Sequence, residues 1–217
     1  MSLVPAFAPA GFGLFVGGML WLALWHGRVR LFGLVPVLGG VAALALARPP
    51  DLLVTGDGHN LGIVERDRLV ILREGRTPFT RATMMDLAGI SGEAVNLDDW
   101  PGARCNRDAC LLALARGGRV WRVLVLRRGG YGPPPGGIGP ACAAADIVLA
   151  PGRLGPECRP VLTRVDKVLR WRTGGLAFTL SGNASGRTVR TVADGEGEHP
   201  WWRFPHRMPR PVPDDDQ

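Results

Sequence analysis

LVPAFAPAGFGLFVGGMLWLALW, residues 3–25, and LFGLVPVLGGVAALALA, residues 31–47, decide the architecture. Neither stretch contains a charged side chain. A helix needs roughly 20 apolar residues to cross the hydrocarbon core of a bilayer, and the first stretch is long enough. The second has 17 residues and ends at Arg48-Pro49-Pro50. Between them lies His26-Gly27-Arg28-Val29-Arg30. The expectation is a transmembrane helical hairpin over residues 1–48 that carries a large C-terminal domain.

The loop also sets an expected orientation. Short loops rich in arginine stay cytoplasmic, so Arg28 and Arg30 put both outer ends of the hairpin on the far side. The domain is then extracytoplasmic. Arg48, on the outer flank of the second helix, weighs in the other direction. A cleaved signal peptide fits less well, because no basic residue precedes Leu3 and the apolar stretch is too long for an h-region. Two core helices of a soluble protein account for the second stretch but not for the first. Gly13 and Gly17 form a small-xxx-small pattern that suits helix packing in a membrane.

The chain carries 26 basic and 19 acidic residues, a net charge of +7, and Lys167 is its only lysine. Such arginine bias accompanies GC-rich coding sequence. The basic balance fits nucleic acid or anionic lipid as a partner, and equally a solvated basic surface. No basic run interleaves with aromatic residues.

All four cysteines, Cys105, Cys110, Cys142 and Cys158, fall in the C-terminal domain. An even number in an extracytoplasmic domain favours disulfides. Three pairings are possible, and neighbours in sequence, Cys105 with Cys110 and Cys142 with Cys158, are the expected partners. A four-cysteine zinc site is the rival. The first pair has knuckle-like spacing for it, and the second does not.

The proline pair after Arg48 stops the second helix. Residues 51–54, 61–64 and 69–72 read as strands, separated by a turn at 55–58 and the charged turn 65–68. Residues 80–87 have helical spacing. Residues 111–114 and 120–126 form a hairpin across Arg116-Gly117-Gly118, with Trp121, Val123 and Val125 on one face. Val120, Arg122, Leu124 and Leu126 lie on the other, and both faces are expected to be largely buried. GGYGPPPGGIGP, residues 129–140, reads as a loop. Residues 143–146 read as a helix end running into a strand over 147–150, and 161–165 and 176–180 as further strands. The fold class expected is two transmembrane α-helices followed by a strand-rich α+β domain over residues 49–205. Residues 206–217, which include Asp214-Asp215-Asp216, form a disordered acidic tail.

No catalytic set emerges. His26, His59, His199 and His206 form no metal-binding pattern of the H-x-H or H-E-x-x-H kind. There is no G-x-S-x-G elbow, no phosphate-binding loop ahead of Lys167, and Gly56-x-Gly58 lacks the third glycine of a dinucleotide site. Asp57, Asp98, Asp99, Asp146 and Asp166 are the carboxylates of interest. Turn chemistry accounts for Asp57, Asp98 and Asp99. Asp146, ahead of a buried strand, reads as a structural carboxylate. A metal site of Asp57, His59 and Asp146 is the alternative.

An ordered series of segments resembles the C-terminal end of ComEC-type competence proteins, the polytopic channels for DNA uptake, in the alphaproteobacterial version. The segments are residues 47–58 (ARPPDLLVTGDG), 101–105 (PGARC), 142–148 (CAAADIV), 158–160 (CRP), 172–177 (RTGGLA) and 199–201 (HPW). Many such proteins end in a metallo-β-lactamase-like domain, which begins with a strand ending in a D-V-G-Q-G-D-like turn. Residues 53–58 are similar to it in place. Residues 145–153 are similar to the later A-D-[IV]-L-x-x-x-H-H-G-S-like element, without its histidines, and the H-x-H-x-D-H cluster is absent. The resemblance implies a reduced, degenerate metallo-β-lactamase-like fold without metal chemistry or other cofactor. It implies a multi-pass protein of the bacterial inner membrane, whose partners are the remaining helices of a competence channel, membrane lipid and single-stranded DNA. Its role would be non-enzymatic guidance of DNA, with Trp121, Trp171, Trp201 and Trp202 as stacking candidates. Each of these also fits core packing or interface anchoring. The alternatives are a metal-dependent hydrolase or nuclease and a truncated remnant.

Overall fold

The structure is a computed structural model that describes residues 9–65, 67–72, 78–127, 137–182, 187–196 and 199. Trp201, Trp202, His206 and the acidic tail lie outside the described residues, as does most of the 129–140 segment.

The chain opens with α1 (Pro9–Leu24), a 3-10 stretch (Gly27–Gly33) and α2 (Leu34–Ala45). The last two form one helical run, Gly27–Ala45, of 19 residues, long and apolar enough to cross a membrane; Ala10–Leu24 is a shorter apolar helix. The expected loop at 26–30 is tighter than the sequence reading has it. Gly27 takes φ +74 and reverses the chain, a conformation that glycine adopts without steric cost. Arg28 and Arg30 then belong to the start of the second helical run.

The two helices pack antiparallel with little between them. A Cβ on Gly18 would stand 2.8 Å from the Gly33 carbonyl oxygen, and one on Gly40 would stand 2.7 Å from Phe15 Cβ and 3.0 Å from the Gly11 carbonyl oxygen. Gly11 and Gly18 on one helix thus meet Gly40 and Gly33 on the other, seven residues apart on each side. The Gly13 and Gly17 pattern is not this seam, since neither position has a neighbour within 4 Å.

Two β-sheets follow. The strands are β1 (Leu52–Val54), β2 (Leu61–Glu65), β3 (Arg68–Ile71), β4 (Ala94–Asn96), β5 (Ala103–Cys105), β6 (Ala109–Arg116), β7 (Arg119–Leu126), β8 (Ile147–Leu149), β9 (Thr163–Val165), β10 (Leu176–Leu180) and β11 (Arg187–Thr191). The helices among them are α3 (Pro78–Ala88), α4 (Gly139–Ala143), α5 (Lys167–Thr173) and α6 (Val192–Glu196). One sheet has the order β11-β10-β1-β2-β3-β4 and the other β5-β6-β7-β8-β9. Neighbours are antiparallel except β3–β4, β7–β8 and β8–β9.

Side-chain alternation explains the layering. Leu52, Val54, Ile63, Val70 and Phe178 of the first sheet join Leu112, Leu114, Trp121, Val123, Ile147 and Val165 of the second in one buried cluster. The opposite set in the first sheet, Leu53, Val64, Leu69 and Ile71, is covered by Met84 and Ala88 of α3. In the second sheet Leu124 and Val148 are covered by Cys142, Ala145, Leu154 and Cys158. The domain is therefore a helix–sheet–sheet–helix sandwich in which β1, β2, β3 and β8 are buried on both faces, whereas β6 alternates buried and exposed residues.

Two details around β7 and α4 differ from the sequence reading. Gly139 and Pro140, expected in the loop, begin α4 instead, because proline is preset for the first helical turn. On β7 the second face is buried only at its C-terminal half: Leu124 is buried, whereas Val120 and Arg122, nearer the hairpin turn, are exposed.

The sheets are tied where the chain enters from the helices. Asp51 Oδ1 accepts from Arg116 Nε at 2.8 Å and its Oδ2 from the Leu180 N–H at 2.7 Å. Arg116 also donates to the Val64 carbonyl at 2.7 Å and to Glu65 at 3.0 Å. Burial works against the Arg116 charge, but bonds to Glu65 and Asp51 outweigh it and raise its pKa above the ordinary arginine value. The cysteines are joined in the expected pairs, Cys105 with Cys110 and Cys142 with Cys158. The first bridges residues directly opposite on β5 and β6. The second staples α4 to the segment beyond β8.

Candidate functional site

The end of the sandwich opposite Asp51 gathers the segments singled out in the sequence. After β1, residues 55–60 form a turn closed by its own side chains. The Thr55 hydroxyl donates to the Asp57 carboxylate, the His59 N–H donates to Asp57 Oδ1 at 3.0 Å, and the Gly58 N–H donates to the Thr55 carbonyl at 2.9 Å. This is an Asx-type turn, the ordinary work of an aspartate in such a place. Burial works against the Asp57 charge. The bonds from Thr55 and His59 and the positive charges of His59 and Arg170 outweigh it, so the carboxyl titrates below the ordinary aspartate value.

Arg170 is the residue at this end that the sequence does not announce. It lies on α5, a seven-residue helix started by Asp166, whose side chain accepts from the Leu169 N–H at 2.9 Å. Arg170 is 4% exposed and Asp166 2%. The guanidinium donates to the carbonyls of Ala150 and Pro151, the latter at 2.6 Å, and to Val165 at 3.4 Å. Its Nε is buried without a hydrogen-bond partner. On its other side it packs against Gly58, which has φ +71, and a Cβ there would collide with the guanidinium. One buried cation thus joins the turn after β1, the end of β8 and the helix that follows β9. Burial lowers the pKa of Arg170, and Asp166 and Asp57 act in the opposite sense. A guanidinium offers donors only and has no lone pair with which to take a proton. Chemically the arrangement is a tie.

Asp57, His59 and Asp146 are not brought together as ligands. Asp146 lies in the second sheet, where Oδ1 accepts from Arg119 at 2.6 Å and Oδ2 from the Arg122 N–H at 2.8 Å. Its backbone N–H also donates to the Arg122 carbonyl at 2.8 Å. It is the structural carboxylate its position suggests, pinning the start of β8 to β7. Asp98 pairs with Arg127, and Asn96 caps the short 3-10 turn Leu97–Asp99. Among the described residues, the one group of ligand-type atoms within 4.8 Å of each other is Asp98, Cys105 and Cys110. The two sulfurs are joined in a disulfide and Arg127 neutralises the carboxylate, so this donor set does not suit a metal.

Of the four tryptophans proposed for stacking, Trp121 has 0% exposure and belongs to the core, with Arg119 over its ring at 4.6 Å. Trp171, on α5, is 47% exposed. Compared with protein-family models, curated proteins and solved structures, the chain matches none.

Proposed function

We propose that the chain is the membrane-anchored C-terminal part of a ComEC-type DNA-uptake channel. Its α+β domain, a degenerate metallo-β-lactamase-like module, stands outside the inner membrane and guides single-stranded DNA without cleaving it. The observation that carries the non-catalytic reading is Arg170. The turn 55–60 and the end of β8, the two places where the resemblance looks for metal-site elements, face a buried guanidinium hydrogen-bonded to backbone carbonyls. A fixed positive charge there repels a metal ion, and Asp146 is already engaged by Arg119 and Arg122. The apolar helical run Gly27–Ala45 and the two disulfides support a membrane-attached domain in an oxidising compartment. The layered sandwich is in keeping with a reduced metallo-β-lactamase-like module.

The test uses the full chain in detergent micelles. Incubated with single-stranded DNA and with zinc or manganese, it should bind the strand, leave it intact and hold no stoichiometric metal. DNA cleavage that is lost on His59→Ala would replace this reading with a metal-dependent nuclease. No binding at low salt would remove DNA from it.

A further inference from the structure

The end of the sandwich nearest the helical hairpin has one basic, partly apolar side. Only residues 46–51 lie between α2 and β1, and a stretch of that length spans about 20 Å at most. This end of the domain therefore stays close to whatever surrounds the hairpin. β7, β8 and β9 are parallel and all start here. The Asp146 N–H donates to the Arg122 carbonyl at 2.8 Å, the Leu162 N–H to the Asp146 carbonyl at 3.0 Å and the Val161 N–H to the Ala145 carbonyl at 3.0 Å. These bonds set Arg122, Asp146 and Val161 side by side. Arg187, at the start of β11, reaches the Leu162 carbonyl at 3.5 Å. It pairs with Leu180, whose N–H donates to Asp51. On this rim Val120 is 57% exposed and Val161 62%.

Charge is unevenly distributed at this end. Asp51 and Glu65 are bound by Arg116, and Asp146 by Arg119. Among the described residues no carboxylate pairs with Arg122 or Arg187. Asp67 and Glu93, also acidic, flank β3, which β1 and β2 separate from β10 and β11. The side formed by the starts of β7, β8, β9 and β11 is therefore basic. Apolar side chains that reach between headgroups, beside arginines that hold lipid phosphates, attach a protein surface to an anionic bilayer. A nucleic acid strand would meet the same cations, but Trp121, the aromatic residue of this strand start, is buried and offers no stacking face.

We propose that this rim, with Val120, Val161, Arg122 and Arg187, is a contact surface for anionic phospholipid, on which the domain rests against the bilayer that holds its hairpin. The inference rests on the reading of the chain as membrane-anchored and names the surface that fixes the domain's posture. The opposite end, with the turn 55–60, then points away from the membrane.

The test places the full chain, methyl-labelled at valine, in nanodiscs that contain phosphatidylglycerol and a lipid with a headgroup nitroxide. The Val120 and Val161 methyl signals should lose most of their intensity. Val192, exposed at the distal end, should keep its own. Nanodiscs of phosphatidylcholine alone should restore the two signals. So should Arg122→Gln with Arg187→Gln, since neutralising two arginines at an anionic surface shifts the contact by about thirtyfold. Unchanged Val123 and Val192 methyl shifts check that this variant folds. A nitroxide on the acyl chain reports the hairpin through Val35 and Val41. If these two broaden while Val120 and Val161 stay sharp beside the headgroup label, the chain is anchored and the contact surface is refuted. If Val35 and Val41 stay sharp as well, the membrane-anchored reading falls with it. Equal broadening of Val120, Val161 and Val192, or equal broadening in both lipids, also overturns the proposal. Val120 and Val161 shifts on adding oligothymidylate, without headgroup broadening, would give the rim to nucleic acid instead.

Discussion

Gly58 and Arg170 make sense only as a pair. The glycine has φ +71 and its Cα lies against the guanidinium, so a side chain there meets both backbone strain and a collision. Gly58→Ala should cost about 2 kcal/mol of stability, measured by urea unfolding of the chain in micelles. Arg170→Met, similar in length, removes the donors to Ala150 and Pro151 and leaves their carbonyls buried without partners. A loss of about 2–4 kcal/mol is expected, and a variant as stable as the parent would show that the guanidinium is no tie. Asp57 adds a pH dependence. Its folded pKa is lowered, so its contribution is present above the ordinary aspartate pKa and is lost as pH falls through the folded value. Acid should loosen the turn 55–60 below about pH 4, and Asp57→Asn should blunt that step, as read by hydrogen exchange at Gly58 and His59.

This residue-scale site was half legible in the sequence. Asp57 and Gly58 read as a turn because a turn needs them locally. Asp146 read as structural because a carboxylate ahead of an apolar strand must find donors. Arg170 was not legible, because its acceptors at Ala150 and Pro151 and its neighbour Gly58 are distant in the chain. Arginine in a seven-residue polar helix carries no mark of burial. The signal that was there is Asp166 as a helix cap three residues before Leu169.

Among elements, apolar strands were legible even when short, β1 and β8 at three residues each included, whereas β4, β5 and β11 were not. VWRVLVL and LAFTL announce β7 and β10. ARC and AVN, now β5 and β4, are three residues each and owe their state to partners. β4 pairs in parallel with β3 across α3, a connection no local pattern contains. The helical hairpin shows the same division. Its apolar stretches are plain in the sequence, but the small-xxx-small pair Gly13 and Gly17 does not mark the seam, where close approach is made by Gly11, Gly18, Gly33 and Gly40. Gly18→Leu or Gly40→Leu should force the helices apart and lower the thermal midpoint of the chain in micelles by several degrees. Gly13→Leu should not, and equal effects at Gly13 and Gly18 would contradict the packing described. The disulfides also act at this scale. The bridge from Cys142 to Cys158 closes a loop of about 15 residues, worth about 3 kcal/mol in the chain-entropy model. Cys142→Ala with Cys158→Ala should cost more than the corresponding pair at Cys105 and Cys110, whose loop is shorter. Chemical denaturation of the two double variants checks the order.

For the whole molecule, an apolar helical hairpin is followed within a few residues by a four-layer sandwich. The sandwich is locked by Asp51 and Arg116 where the chain enters and by Arg170 at the far end. The disulfides make sense if the sandwich stands outside the cytoplasm. The central proposal is therefore one of topology, and Arg28 and Arg30 near the turn between the two helices motivate it. A reporter fusion at Gln217 tests it most directly. The account predicts an active alkaline phosphatase fusion and an inactive β-galactosidase fusion; an inactive phosphatase with an active β-galactosidase would put the domain in the cytoplasm and contradict it.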